Sequence, residues 1–124
     1  PLRSEEVRAV TPLAREARVP VIAFSNDREA AAPGTYILGF TPAQAIERVV
    51  IQAAAGGARR FAALVPTSDY GQRSTQALFA AVQQVGGQVT AVETYGAPGE
   101  ARQAARRLGN RPLDALLIAD SGRV

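Results

Sequence analysis

The chain has 124 residues, of which 47% are hydrophobic and 20% charged; that is enough apolar material for one small domain or parts of two, and too much for a disordered segment. Its 14 basic residues are all arginine and, against 11 acidic ones, leave a formal charge of +3. Histidine, cysteine, methionine, tryptophan and lysine do not occur, which removes the imidazole base of a serine or cysteine nucleophile, the thiolate itself, Schiff-base and P-loop lysines, and the usual ligands of zinc.

The arginines are spread along the chain, with short knots at Arg59-Arg60 and at Arg102, Arg106, Arg107 and Arg111. They read as solvated helix and strand ends, not as a nucleic-acid surface. Without cysteine there is no disulfide, and composition leaves the compartment open between cytosol and periplasm. No apolar run approaches the ~20 residues of a membrane span. The opening Pro1-Leu2, without an initiator Met, is expected to mark a processed form or a piece of a longer chain.

Taken in chain order, Ser4 is a candidate cap for a helix whose Val7, Val10, Ala14 and Ala17 share one face; Pro12 should kink or restart it, with Thr11 as a second cap. Val19 to Ser25 is a continuous apolar run, the pattern of a strand covered on both faces. Asn26 to Gly34 is loop, and Tyr36 to Phe40 is another short strand. Thr41-Pro42-Ala43-Gln44 then opens a helix, with threonine as N-cap, proline at the first helical position and glutamine at the capping-box position. Ile46, Val49, Val50 and Ala53 form its inner stripe and Gly56-Gly57 ends it.

Phe61 to Val65 is the next buried strand. A helix with Leu78, Val82 and Val85 inward follows, ending at Gly86-Gly87. Gln88 to Tyr95 alternates polar and apolar, as an edge strand does, and Pro98-Gly99 starts an arginine-rich helix reaching Gly109. Leu113 to Ala119 is a last buried strand. The order α-β-β-α-β-α-β-α-β specifies an α/β fold with a mostly parallel sheet and helices on both faces, in which ligands bind beyond the carboxyl ends of the strands.

That rule directs attention to the strand-end loops Ser25-Asn26-Asp27, Thr67-Ser68-Asp69-Tyr70-Gly71 and Asp120-Ser121-Gly122, with Leu2-Arg3-Ser4 as a fourth. All are small, polar and rich in hydroxyls, and two lead into helices whose first-turn N–H groups suit an anion. Capping and turning account for Ser4, Ser25, Thr67 and Ser68 equally well, and Asp69 is most simply an N-cap. Tyr70 is different, because neither task calls for an aromatic; it is a candidate wall or stacking surface for a ligand. The chain contains no G-x-G-x-x-G, Walker A or G-x-S-x-G pattern and no paired carboxylates spaced for a metal, so no catalytic residue, metal site or cofactor is expected.

The phrases "VPVIAFSND", "YILGFTPAQAIERVV", "RRFAALVPTSDYGQRSTQALFAAVQQVGGQV" and "LDALLIAD" resemble, in order and spacing, the middle of type I periplasmic binding proteins of the leucine/isoleucine/valine-binding class. Within that class, "SEEVRAVTPLAREARVPVIAFS" and "YILGFTPAQ" look closest to the penicillin-binding protein activator lipoproteins of Gram-negative bacteria. The resemblance implies a fold of two α/β lobes joined by crossing strands near Gly39 to Thr41, so that residues 1–39 belong to the first lobe and 40–124 to the second. It implies a periplasmic location, with an outer-membrane lipid anchor outside this chain.

The resemblance also implies a non-enzymatic role: binding a small polar ligand, such as an amino acid or peptidoglycan fragment, between the lobes, or activating a peptidoglycan synthase. An ABC transporter permease or that synthase would be the protein partner. Matched position by position, Ser4, Ala23 and Ser25 would hold the ligand carboxylate, Tyr70 of the second lobe would close over it, and Ser68 lies beside Tyr70. Arg3 and Asp27 stand where the family has neutral residues. A flavodoxin-like enzyme domain with Asp69 or Asp120 as acid/base is the alternative, which a carboxylate of raised pKa in a cleft would support.

Overall fold

The chain divides into two units, Pro1–Thr41 and Pro42–Val124, in a computed structural model that describes residues 4–25, 27–39 and 41–120. Leu2, Arg3, Asn26, Phe40, Ser121 and Gly122 lie outside the described residues, as does the side chain of Ser4.

In the first unit, Glu5 and Glu6 in the opening turn and Arg15 in the last complement the dipole of helix α1, Ser4–Glu16. The break expected at Pro12 does not occur, and α1 runs through it. Pro12 lies on the exposed side. Thr11 does not cap a second helix; its hydroxyl turns back onto the Val7 carbonyl at 2.7 Å and meets the Thr35 hydroxyl at 3.1 Å. The helix ends with the Arg18 N–H on the Arg15 carbonyl and the Val19 N–H on the Ala14 carbonyl. Arg18 there takes the left-handed conformation, φ 57°, which glycine adopts without the strain that a Cβ brings.

Strands β1 (Val21–Ala23) and β2 (Thr35–Ile37) pair in parallel, Val21 opposite Thr35. Both are shorter than the apolar runs suggest. The Ser25 N–H turns back to the Ala23 carbonyl, and Asp27 caps a 3-10 turn, Arg28–Ala30, by accepting from the Glu29 N–H at 3.0 Å. One face of the pair packs Ala23, Val21 and Ile37 on Val7 and Ala30. The other carries Ile22, Phe24, Tyr36 and Leu38, all exposed, so the cover expected on both faces is present on one.

The second unit is built on β3, Arg60–Pro66. Its five residues Phe61 to Val65 are all buried, because helices lie on both sides. The sheet order is β4-β3-β5, all parallel, with β4 at Gln88–Tyr95 and β5 at Ala115–Ile118. On one face, Phe61, Ala63 and Val65 pack against Ile46 and Val50 of α2 (Pro42–Ala55) and Leu78, Ala81 and Val82 of α3 (Asp69–Gln84). On the other, Ala62, Leu64 and Tyr95 pack against Ala101, Ala104 and Leu108 of α4 (Pro98–Leu108). Each buried Val, Leu, Ile or Phe side chain contributes about 1.5–3 kcal/mol, and each alanine less.

Helix ends follow the glycines. Gly57 (φ 102°) closes α2 with its N–H on the Ala54 carbonyl and the Ala58 N–H on the Ala53 carbonyl, and Gly86 (φ 72°) closes α3 in the same way. Three expectations change. Thr41 Oγ1 is buried and has no hydrogen-bond partner among the described residues, so its capping role is not made. Asp69 is the first residue of α3, and Ser68 is the cap. β5 is shorter than Leu113 to Ala119 and covered on one face, leaving Leu116 and Ile118 exposed, because α4 lies over β3 and β4.

Ser74, on the inner face of α3, is wholly buried and its hydroxyl has no partner among the described residues. An unpaired buried hydroxyl costs roughly 1–3 kcal/mol relative to an apolar group of similar shape. Ser74→Ala is therefore expected to leave the melting temperature of the protein unchanged or raise it; a clear drop in thermal denaturation would contradict this packing.

Candidate functional site

The strand order places the candidate site. β3 connects through α3 to β4 on one side and β4 returns through α4 to β5 on the other, with the two helices on opposite faces. In parallel α/β sheets ligands bind beyond the carboxyl ends of the strands, here the end at which β3 and β5 lie side by side. The loop Thr67 to Tyr70 and the residue Asp120 border it.

The β3–α3 loop is set by close backbone approach. A Cβ on residue 71 would stand 1.8 Å from the Pro66 carbonyl oxygen, so only glycine lets the first turn of α3 seat on the end of β3. The Gly71 N–H donates to Ser68 Oγ at 3.2 Å, the Ser68 N–H to the Pro66 carbonyl at 3.0 Å, and the Thr67 N–H to the Tyr95 carbonyl at 2.9 Å. Ser68 is exposed, and its oxygen already serves as the helix cap. Tyr70 is half-buried in the first turn, its ring packed against the α2–α3 side of the core.

Across β3, the Tyr95 hydroxyl donates to the Asp120 carboxylate. Tyr95 is buried, and desolvation, followed by this hydrogen bond, pushes its pKa up to about 12. The pairing of an edge-strand tyrosine with a residue beyond β5 was not legible in the sequence; the shared position of Tyr95 and Asp120 at strand ends was the available signal. The carboxylates with displaced pKa values both move down. The Arg60 guanidinium, with the Arg60 and Arg59 backbone N–H groups, holds Asp114 far below the usual carboxylate range at the opposite end of the sheet. The Gly96 and Ala97 N–H groups lower Glu100 at the start of α4.

In the first unit, Ala23 is buried; its side chain lies in the core and its carbonyl accepts from Ser25 and Leu38 N–H groups. Ser25 is buried and its hydroxyl accepts from the Asp27 N–H at 3.1 Å. The Ser25 carbonyl sits 2.6 Å from where a Gly39 Cβ would be, so β2's exit passes directly over it. Asp27 is wholly buried and ion-paired with Arg8 Nη2 at 3.2 Å. Ser4 opens α1.

Among the described residues no group of acidic, histidine or cysteine side chains is arranged to hold a metal. No described helix is long and apolar enough to cross a membrane.

The periplasmic binding protein family model matches residues 1–123. The chain belongs to that family. No curated protein matches it in sequence. Solved structures share its fold. A solute-binding protein of an ABC transporter from R. palustris, in complex with 4-hydroxybenzoate, superposes with a TM-score of 0.76 at 22% identity over 97% of this chain and 34% of its own length. A branched-chain amino acid ABC transporter protein from Thermus thermophilus with bound valine gives 0.67 at 18% identity, over 87% and 30%. LpoA from Haemophilus influenzae gives 0.63 at 21% identity, over 98% and 22%. The chain thus spans about a third or less of these neighbours.

Two predictions test this geometry. Gly71→Ala should lower stability by about 3 kcal/mol or more, as strained or overpacked sites do, read as a fall in melting temperature that Gly99→Ala, a glycine with open space around it, does not produce. In alkaline titration followed by tyrosinate absorbance, one step near pH 12 should vanish in Tyr95→Phe. A folded-state pKa raised above the unfolded value means that this stability contribution is whole below about pH 10 and lost as pH climbs toward 12.

Proposed function

We propose that this member of the periplasmic binding protein family is a non-enzymatic periplasmic domain that binds a small carboxylate-bearing ligand, and that its two units are pieces of the family's two lobes. The observation that carries the reading is the polar β3–α3 loop at the carboxyl end of the sheet, where such folds bind ligands. The loop is made of hydroxyls, an aromatic and the first turn of a helix whose N–H groups suit an anion, with Asp69 as its one charge. The ligands named for two fold neighbours, 4-hydroxybenzoate and valine, both carry a carboxylate. In this reading Ser4, Ala23 and Ser25 of the first unit and Ser68 and Tyr70 of the second contribute to the ligand site. The enzyme alternative called for a carboxylate of raised pKa, and the two displaced carboxylates, Glu100 and Asp114, are lowered.

A second reading keeps the fold and works through protein contact, as an activator of a peptidoglycan synthase carried by a lipid anchor. The wording of "SEEVRAVTPLAREARVPVIAFS" and "YILGFTPAQ" favours it. A thermal-shift screen of the full-length protein against valine, benzoate, 4-hydroxybenzoate and peptidoglycan fragments separates the two. Saturation at 100 times the dissociation constant stabilises by about 2.7 kcal/mol, so binding should raise the melting temperature, and Tyr70→Ala should abolish the ligand-induced rise. No shift with any of these compounds would sink the ligand-binding reading in favour of the activator.

A further inference from the structure

Among the described residues nothing covers one face of the β1–β2 pair. Ile22 and Tyr36 stand opposite one another in its register, Phe24 and Leu38 come two residues later on the same side, and all four are more than half exposed. No charged residue occurs from Val19 to Ser25 or from Pro33 to Leu38. A sheet face that meets water carries polar side chains, whereas parallel sheets are covered on both faces by helices and are apolar on both. The outward residues here have the composition of a covered face.

The inward side is a small core. Its fully buried apolar residues among those described are Val7, Ala23 and Ala30, against two strands of three residues each. A two-stranded sheet alone is marginal in water, and the unit Pro1–Thr41 is near the roughly 40 residues below which disulfides, metals or association are usually needed. The chain has neither cysteine nor histidine, so it has no disulfide and lacks the usual ligands of a structural zinc. Association is the remaining source of stability. The solved neighbours that share this fold are long enough to supply it within one polypeptide, since the chain spans about a third or less of their length.

We propose that Ile22, Phe24, Tyr36 and Leu38 form the docking face for an amphipathic helix from the part of the same polypeptide outside residues 1–124. A helix is the element that closes the open face of a parallel sheet. A tethered segment reaches the face at an effective concentration of about millimolar, which a separate copy does not have at working dilution. Ala23 lies on β1 and Ser25 just beyond it, so the docked helix also fixes the strand that carries them. Only that consequence for the ligand site rests on the ligand-binding reading, and the docking holds without it.

Two measurements on the full-length protein identify the occupant. In the variants Ile22→Cys and Tyr36→Cys, with the reaction of the parent protein subtracted, a thiol reagent should label the native protein at least about a hundredfold more slowly than the same variant in urea, because a buried thiol reacts only through local opening. Far-UV circular dichroism confirms that both variants are folded. Labelling at the unfolded rate at both positions shows a face open to water and overturns the proposal, and protection that fades on dilution overturns it in favour of a second copy. In the second measurement, Phe24→p-benzoylphenylalanine is irradiated and the linked peptides are mapped by mass spectrometry. An intramolecular link to a peptide outside residues 1–124 is expected. A link to residues 42–124, to a second copy or to a different protein overturns the proposal.

Discussion

The arrangement of the second unit depends on one contact between backbones, the seat of the first turn of α3 on the Pro66 carbonyl. Residue 71 has no side chain, and its place is occupied by that oxygen. The approach lets the Ser68 hydroxyl cap the helix and the Thr67 N–H reach the Tyr95 carbonyl, so β3, β4 and α3 are tied at one point. With α3 so placed, its inner face packs Leu78, Ala81 and Val82 on β3. The loop is then held at the carboxyl end of β3. The geometry of the candidate site and the packing of the core therefore have a common origin.

Much of this was legible in the sequence, for definite reasons. Phe61 to Val65 reads as a buried strand because both of its faces are covered, and continuous apolarity has no other cheap explanation in a strand of that length. Gly57 and Gly86 end helices where the backbone turns left-handed, a need that glycine meets without strain. The alternation of helix and strand in chain order followed from the same two signals.

The misreadings share a cause as well. Val19 to Ser25 and Leu113 to Ala119 have the apolar composition of covered strands, but Ile22, Phe24, Leu116 and Ile118 are exposed in this chain. Composition records the environment a side chain is suited to, and only packing shows what lies over it. Thr41 and Asp69 fail for a different reason. Several residues near a helix start have cap chemistry, and the choice falls to the one whose backbone is extended at the right point, here Ser68 with φ −156° and ψ 169°. At Pro12 the local rule for a helix interior yields because the residue is on the solvent side.

Charge is distributed unevenly along the second unit, and this bears on what its two ends can do. At the amino end of the sheet Asp114 fastens β5 to β3 through the Arg60 guanidinium and two backbone N–H groups, an ionised carboxylate with every oxygen engaged. At the carboxyl end the β3–α3 loop is neutral apart from Asp69, and the Tyr95 hydroxyl remains protonated against the Asp120 carboxylate well above neutral pH. A general acid or base must change its protonation near the working pH, and the shifted groups here are driven away from it: Tyr95 upward, Glu100 and Asp114 downward. Fixed donors and acceptors that do not titrate suit recognition, because they present the same face to a ligand across the physiological range.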